Sequence, residues 1–223
     1  MNLFGRFLEL STPVRDIRES LEWYRLLGFH ECAVGDIYHY HYAVVTDGRV
    51  FIGLHSADID EISLTFVRPE LNMHFRELQA LGLDVNDVYQ GDEHFHQLVL
   101  HDPTGLQVRL IEARTFSPSA EGQTPLTGQI RNIGISAGCL DDARDFWQHG
   151  GFSAHDDHES IELLSPGMTL QLQAGAAAPQ LNFLCPNKQA LIKLLMKEEL
   201  RYQQHGELIS LTSPEGLQLS ILS

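Results

Sequence analysis

The sequence predicts an α+β fold of four βαβββ units arranged as two tandem halves, and three observations carry that prediction. HDPTGLQVRLIE at 101–112 returns at the end of the chain as TSPEGLQLSILS at 212–223, so that Pro103, Gly105, Leu106 and Gln107 match Pro214, Gly216, Leu217 and Gln218. FLELSTPVRDIRESLEWYRLLGF at 7–29 matches IRNIGISAGCLDDARDFWQHGGF at 130–152 without a gap. Within each half a strand, a helix and three further strands follow one another twice.

In the first half the alternating run from Phe7 reads as a strand, and Ile17, Ser20, Leu21 and Tyr24 recur behind it at helical spacing. Leu140, Ala143 and Trp147 do the same in the second. Trp23-Tyr24 and Phe146-Trp147 are core aromatics of the two equivalent helices, and Gly28 and Gly151 stand where a helix end adopts positive φ. Strand-like runs follow near 30–34, 38–46 and 49–55, then ISLTF, a helix near 70–81, and strands near 85–88, 96–101 and 106–111. The second half gives strand 130–136, helix 140–149, strands near 152–155, 159–164 and 168–173, strand 180–184, helix 187–198, and strands near 201–204, 207–211 and 217–222. DPTG and SPEG suit the tight turn into the last strand of a half, because proline presets φ and glycine accepts a positive one. ARTFSPSAEGQTPLTG, rich in small and polar residues, reads as a linker, which sets the halves at 1–113 and 129–223 with 114–128 between them.

At 223 residues, 43% hydrophobic and 20% charged, the composition is that of a globular protein with no apolar run long enough for a membrane span. The net charge is −15, from 15 Lys and Arg against 30 Asp and Glu, and it repels phosphate backbones and anionic membrane surfaces. The expected partner is therefore a small molecule, not nucleic acid or membrane. Cys32, Cys139 and Cys185 form no CxxC and read as three small buried hydrophobes. The N-terminal MNLFGRFLELSTPVRD contains no signal-peptide core, so a cytoplasmic location is expected.

LEWYRLLGF, DFWQHGGF, HDPTGLQVRLIE and SPEGLQLSIL resemble the vicinal oxygen chelate superfamily, which includes glyoxalase I, bleomycin-resistance proteins, fosfomycin-resistance enzymes and extradiol dioxygenases. The resemblance implies two glyoxalase-like lobes, each a curved mixed sheet of two βαβββ units. In metal-dependent members, residues on the first and last strands of each unit hold a divalent ion in the cup of that sheet. Carried onto this sequence, the four positions of the first half are Glu9, Gly53, Glu61 and Arg109. Alternation along the strands leaves Phe7, Glu9 and Ser11, then Phe51, Gly53 and His55, then Gln107, Arg109 and Ile111 facing the cup. Glycine cannot ligate, and a guanidinium about 5 Å from a dication at an effective dielectric of about 20 is repelled by on the order of 6 kcal/mol. Arg109 is better matched to Glu9, to Glu61 or to an anionic group on a ligand. The second half offers Asn132, Gln171, Gln180 and Ser220, which are poor transition-metal ligands.

Eight of the twelve histidines lie in the first 113 residues, and two HxH pairs, His39 with His41 and His94 with His96, have a spacing that puts both rings on one face of a strand. Two readings stand. Such a pair with Glu9 or His55 could make a relocated two-His-one-carboxylate site, or the histidines are solvent-facing. Tyr38, Tyr40 and Tyr42 alternate with the first pair, and alternation leaves open whether the rings of His or Tyr face inward. GISAG at 134–138 matches the serine-hydrolase elbow only as a string, since Ser136 aligns with Pro13 and no helix starts directly behind it. Lys188, Lys193 and Lys197 read as the solvated face of the last helix.

The functional expectation is a small-molecule-binding protein whose first-half cup uses Glu9, Phe51, His55, Glu61, Arg109 and His41, with no cofactor and no assigned catalytic residue. The alternative is a dioxygenase or glyoxalase-like lyase dependent on Fe, Ni, Zn or Mn, with metal candidates Glu9, His39, His41 and His55. An assembly module is a third possibility for which no exposed apolar pattern speaks. Four units in one chain are compatible with a monomer, and a homodimer is equally allowed.

Overall fold

The computed structural model describes residues 2–33, 41–57, 59–83, 85–89, 96–112, 124–157 and 160–223, the side chains of 72, 86–89 and 157 aside. The first half runs β1 (Arg6–Pro13), α1 (Ile17–Leu27), β2 (His30–Cys32), β3 (Tyr42–Thr46), β4 (Phe51–His55), β5 (Ser63–Val67), α2 (Leu71–Ala80), β6 (Val85–Tyr89), β7 (Gln97–His101) and β8 (Gln107–Ile111). The second runs β9 (Ile130–Ala137), α3 (Leu140–His149), β10 (Ser153–Asp157), β11 (Ser160–Ser165), β12 (Met168–Ala174), β13 (Gln180–Leu184), α4 (Lys188–Lys197), β14 (Tyr202–His205), β15 (Leu208–Thr212) and β16 (Gln218–Leu222). The order is βαβββ four times. Each half makes one eight-stranded sheet, ordered β2-β3-β4-β1-β5-β8-β7-β6 and β10-β11-β12-β9-β13-β16-β15-β14, so the two sheets share one permutation.

By contacts the chain divides differently. One compact unit comprises 1–10, 61–117 and 135–177, and the other 11–60, 118–134 and 178–223. Each therefore takes one βαβββ unit from each half.

In the first compact unit the core is aromatic. Phe4 packs on Phe66, Phe146 and Trp147 with ring centroids 5.7, 5.5 and 5.8 Å apart, and Trp147 meets Phe152 edge-on at 5.1 Å. Trp147 is fully buried and donates its indole N–H to Asp102 Oδ2 at 3.1 Å. Oδ1 of the same carboxylate accepts from the backbone N–H groups of Thr104 and Leu106, which builds the turn of the HDPTG phrase. Asn2 to Gly5 strap the end of α3, with Phe4 N–H donating to Gly150 O at 3.2 Å. A Cβ at Gly5, where φ is +86°, would overlap the Val67 carbonyl.

The second compact unit repeats these devices with other residues. Tyr24 is fully buried and donates its hydroxyl to Glu215 Oε1 at 2.6 Å, while Ser20 donates to Oε2 at 2.9 Å. Burial, followed by the charge of Glu215 and the hydrogen bond to it, pushes the Tyr24 phenol well above its ordinary value. Ser213 Oγ accepts from Leu217 N–H at 3.0 Å, in the place Asp102 holds in the first copy of the phrase. Leu126 N–H donates to Leu27 O at 3.3 Å, and a Cβ at Gly128 (φ +84°) would overlap the Leu184 carbonyl. Residues 125–128, read from the sequence as part of a linker, are thus the counterpart of Asn2 to Gly5; residues 113–123 lie outside the described ones.

Three further expectations change. Phe7, expected in the cup, packs edge-on against Phe66 at 5.6 Å, on the buried side. At its counterpart in the second half, β13 pairs Asn182 with Asn132 but, after a register shift, Phe183 with Ile130, and such a bulge reverses alternation there. Only Cys185 among the cysteines is buried; Cys139 is exposed at the start of α3 and Cys32 half-buried. The strand expected over 38–46 begins at Tyr42. Ser136 lies inside β9, four residues before the first residue of α3, so GISAG forms no strand-to-helix elbow.

Candidate functional site

In the first compact unit β5 runs parallel to β8, pairing Ser63 with Gln107, Thr65 with Arg109 and Val67 with Ile111. β7 runs antiparallel on the other side, with His101 opposite Gln107, Val99 opposite Arg109 and Gln97 opposite Ile111. Leu64, Phe66, Leu98, Leu100, Val108 and Leu110 are fully buried on the reverse face, as their alternation requires. What remains is a face of three short rows: Ser63-Gln107-His101, Thr65-Arg109-Val99 and Val67-Ile111-Gln97. β1, hydrogen-bonded to β5, carries Glu9, which is 3% exposed.

Arg109 is half-buried at the centre of the face, and its Nη2 donates to Gln97 Oε1 at 2.8 Å. Its planar fork of N–H donors is suited to pairing with a carboxylate or another oxyanion. Glu61, expected on β5 near the ion position, precedes the strand: its Oε1 accepts from Gln107 Nε2 at 2.7 Å and meets His101 Nε2 at 3.0 Å, at the exposed end of the face. Strand β5 starts two residues later than that placement needs, and Thr65 is the residue beside Arg109. Gln107 was expected on this face from alternation, whereas Gln97 and His101 were not; the register of β7 with β8 was the missing information. Ser63 is fully buried, and among the described residues its Oγ has no hydrogen-bond partner.

In the second compact unit, β3 pairs with β4 so that Tyr42 faces His55, Val44 faces Gly53 and Thr46 faces Phe51. Ala43, Val45, Ile52 and Leu54 are buried on the reverse. His55 packs its ring on Tyr42 at 4.6 Å, so on this strand the tyrosine shares a face with Gly53 and His55. His41 lies just before β3 and is exposed, its carbonyl accepting from Ser56 N–H at 3.0 Å. His39 and His94 lie outside the described residues. His96 pairs with Glu112 at 2.5 Å, and Glu112 also accepts from Glu70 N–H at the start of α2.

In the second half, the row that corresponds to Thr65-Arg109 is Asn182-Ser220, with Asn132 paired to Asn182. Asn182 therefore takes the position expected for Gln180, by the same two-residue displacement as in the first half. Asn182 Nδ2 donates to Asn132 Oδ1 at 2.7 Å. Gln171 pairs with Glu162 across β11 and β12 and donates to Ser160 Oγ at 3.4 Å.

By donor chemistry these positions do not fit a divalent ion. The first half offers a carboxylate, a glycine, a hydroxyl and a guanidinium; the second offers amides and a hydroxyl. Among the described residues no three His, Cys, Asp or Glu side chains come together as a metal-holding group. The arrangement suits hydrogen bonding and charge pairing.

No family model matches the chain, and no curated protein matches it in sequence. Solved structures do. Catechol 2,3-dioxygenase superposes with a TM-score of 0.64 at 12% identity, covering 97% of this chain and 86% of that one. A variant of homoprotocatechuate 2,3-dioxygenase from Brevibacterium fuscum gives 0.66 at 14%, covering 98% and 71%, and another, in complex with HPCA, gives the same figures. Among the described residues no helix is long and apolar enough to cross a membrane. The chain has the fold of the extradiol dioxygenases, with βαβββ units in tandem.

Proposed function

We propose that the first half binds a small molecule on the face around Thr65, Arg109 and Gln97, and does so without a divalent metal. The observation that carries this is Arg109, set beside Thr65 in mid-sheet and held by Gln97, where a dication would be repelled. A carboxylate or other oxyanion on the ligand would pair with the guanidinium, and Thr65 and Gln107 would supply hydroxyl and amide partners. Glu9, almost fully buried on β1, supplies a carboxylate to the same compact unit. Phe51, His55 and His41 lie in the other compact unit, and Glu61 precedes β5 at the end of the face.

A metal-dependent dioxygenase or glyoxalase-like lyase with a rearranged His and Glu set is the second reading. It is favoured by the names of the fold neighbours.

One experiment separates the two. The full chain, purified without chelator or affinity tag, is assayed for bound metal and then titrated with Fe²⁺, Ni²⁺, Zn²⁺ and Mn²⁺, and separately with benzoate as an aromatic carboxylate. The binding reading expects no stoichiometric ion and a saturable benzoate response weakened at least about tenfold by Arg109→Gln. A stoichiometric ion lost in Glu9→Gln decides for the enzyme.

A further inference from the structure

The second half presents the same three rows as the first with different chemistry, all inside the second compact unit. β13 pairs with β16 and β16 with β15, so that Gln180, Gln218 and Thr212 form one row, Asn182, Ser220 and Ser210 the next, and Leu184, Leu222 and Leu208 the third. Their alternates Leu181, Phe183, Ile209, Leu211, Leu219 and Ile221 are buried on the reverse face. These three strands contribute no ionisable side chain to the face, in a chain of net charge −15. Ionisable groups at its borders include, among the described residues, His205 on β14, Arg201 just before it and Arg131 at the bulge of β9.

Two features set this face apart from a lost site. Leu184 and Leu222, cross-strand neighbours, are 56% and 47% exposed, whereas Val67, the counterpart of Leu184, is 3% exposed. Asn132 is 4% exposed, yet only its Oδ1 is engaged, by Asn182; its Nδ2 and the Asn182 Oδ1 have no hydrogen-bond partner among the described residues. Two carboxamides joined by a single hydrogen bond leave a donor on one and an acceptor on the other, whichever way each amide is turned. Gly134 makes room for this: a Cβ there would lie 3.0 Å from Asn182 Nδ2 and 3.1 Å from Gln180 Cγ, so both amides lean across β9.

A donor beside an acceptor is the complement of a lactam edge, whose carbonyl accepts and whose N–H donates. Strands about 4.8 Å apart put Ser210 about 10 Å from Asn182, and two residues along a strand put the leucines about 7 Å from the amide row. That is the span of one or two fused rings. We propose that this face is a second binding site, for an uncharged flat lactam whose polar edge meets Asn132 and Asn182 and whose apolar side lies on Leu184 and Leu222. It differs in ligand class from the charged face of the first half and does not depend on it.

The test is a titration of the isotope-labelled full chain with 2-quinolone, followed by the side-chain amide signals of Asn132 and Asn182 and the methyl signals of Leu222, with benzoate as the anionic counterpart. Saturable shifts with 2-quinolone and none with benzoate are expected at these signals. Asn182→Leu and the milder Ser220→Ala should each weaken the response, the first at least about tenfold, and Arg109→Gln should leave it unchanged. Absence of a saturable shift up to the solubility limit, or an undiminished response in a folded Asn182→Leu, overturns the assignment. So does a sedimentation result showing a dimer that Leu222→Glu dissociates, because a second copy would then occupy the leucine row.

Discussion

Tyr24 and Trp147 occupy the same position in the two copies of the repeat, and each buries a polar atom that donates to a carboxylate. Removing the phenol oxygen leaves Glu215 Oε1 without that donor, so Tyr24→Phe should cost about 1.5–3 kcal/mol of unfolding free energy in urea melts. The raised Tyr24 pKa adds a pH dependence. Below pH ~10 the phenol is protonated in both folded and unfolded chains and its contribution is whole. Above that the unfolded chain releases a proton that the folded one retains, and stability falls as pH rises toward the folded value. Tyr24→Phe should flatten the alkaline limb of the stability profile; an unchanged limb would mean that another group governs it.

At the scale of elements, glycines with positive φ do two different jobs. At Gly5 and Gly128 a strap enters a strand against a neighbouring carbonyl, so both the torsion and the space exclude a side chain. At Gly105 and Gly216, in the two closing turns, φ is +87° and +93° but nothing lies within 4 Å of the place a Cβ would take, leaving only the torsional cost. Gly128→Ala should therefore lose more than about 3 kcal/mol, and Gly216→Ala about 1–2 kcal/mol, measured as shifts in denaturant midpoint. Equal losses would show that the strap yields. The register shift in β13 against β9 belongs to this scale too, for it moves Ile130 to the buried side while Asn132 stays on the open one.

For the whole molecule, the closing turn of one half holds a helix of the other: Asp102 with Trp147 in one compact unit, Glu215 with Tyr24 in the other. A fragment of residues 1–112 keeps its sheet sequence but loses Glu215 from Tyr24 and Trp147 from Asp102. It should lack native near-ultraviolet dichroism alone and regain it when mixed with 124–223. Because Tyr24 and Trp147 share no partner, the costs of Tyr24→Phe and Trp147→Phe should add within about 0.5 kcal/mol. A larger coupling would show that the two cores do not unfold independently of these contacts.

The sequence by itself determined the repeat, the order of elements and the buried faces, because strand alternation and helix spacing are local properties and the phrase at 101–112 is copied at 212–223. It also placed Arg109 in the last strand of its half, on the face opposite Val108 and Leu110. Which residues stand beside Arg109 was decided only in three dimensions. Thr65 rather than Glu61 beside Arg109, the bond from Arg109 to Gln97, and Asn182 rather than Gln180 follow from where a strand starts and how it registers with strands tens of residues away. A one-residue bulge, which alternation cannot anticipate, puts Ile130 on the buried side of β9, and Phe7, its counterpart in the first half, packs inward on Phe66. The pairing of helices with turns of the opposite half was equally invisible, since it depends on side chains such as Tyr24 and Glu215, 191 positions apart, meeting in a shared core.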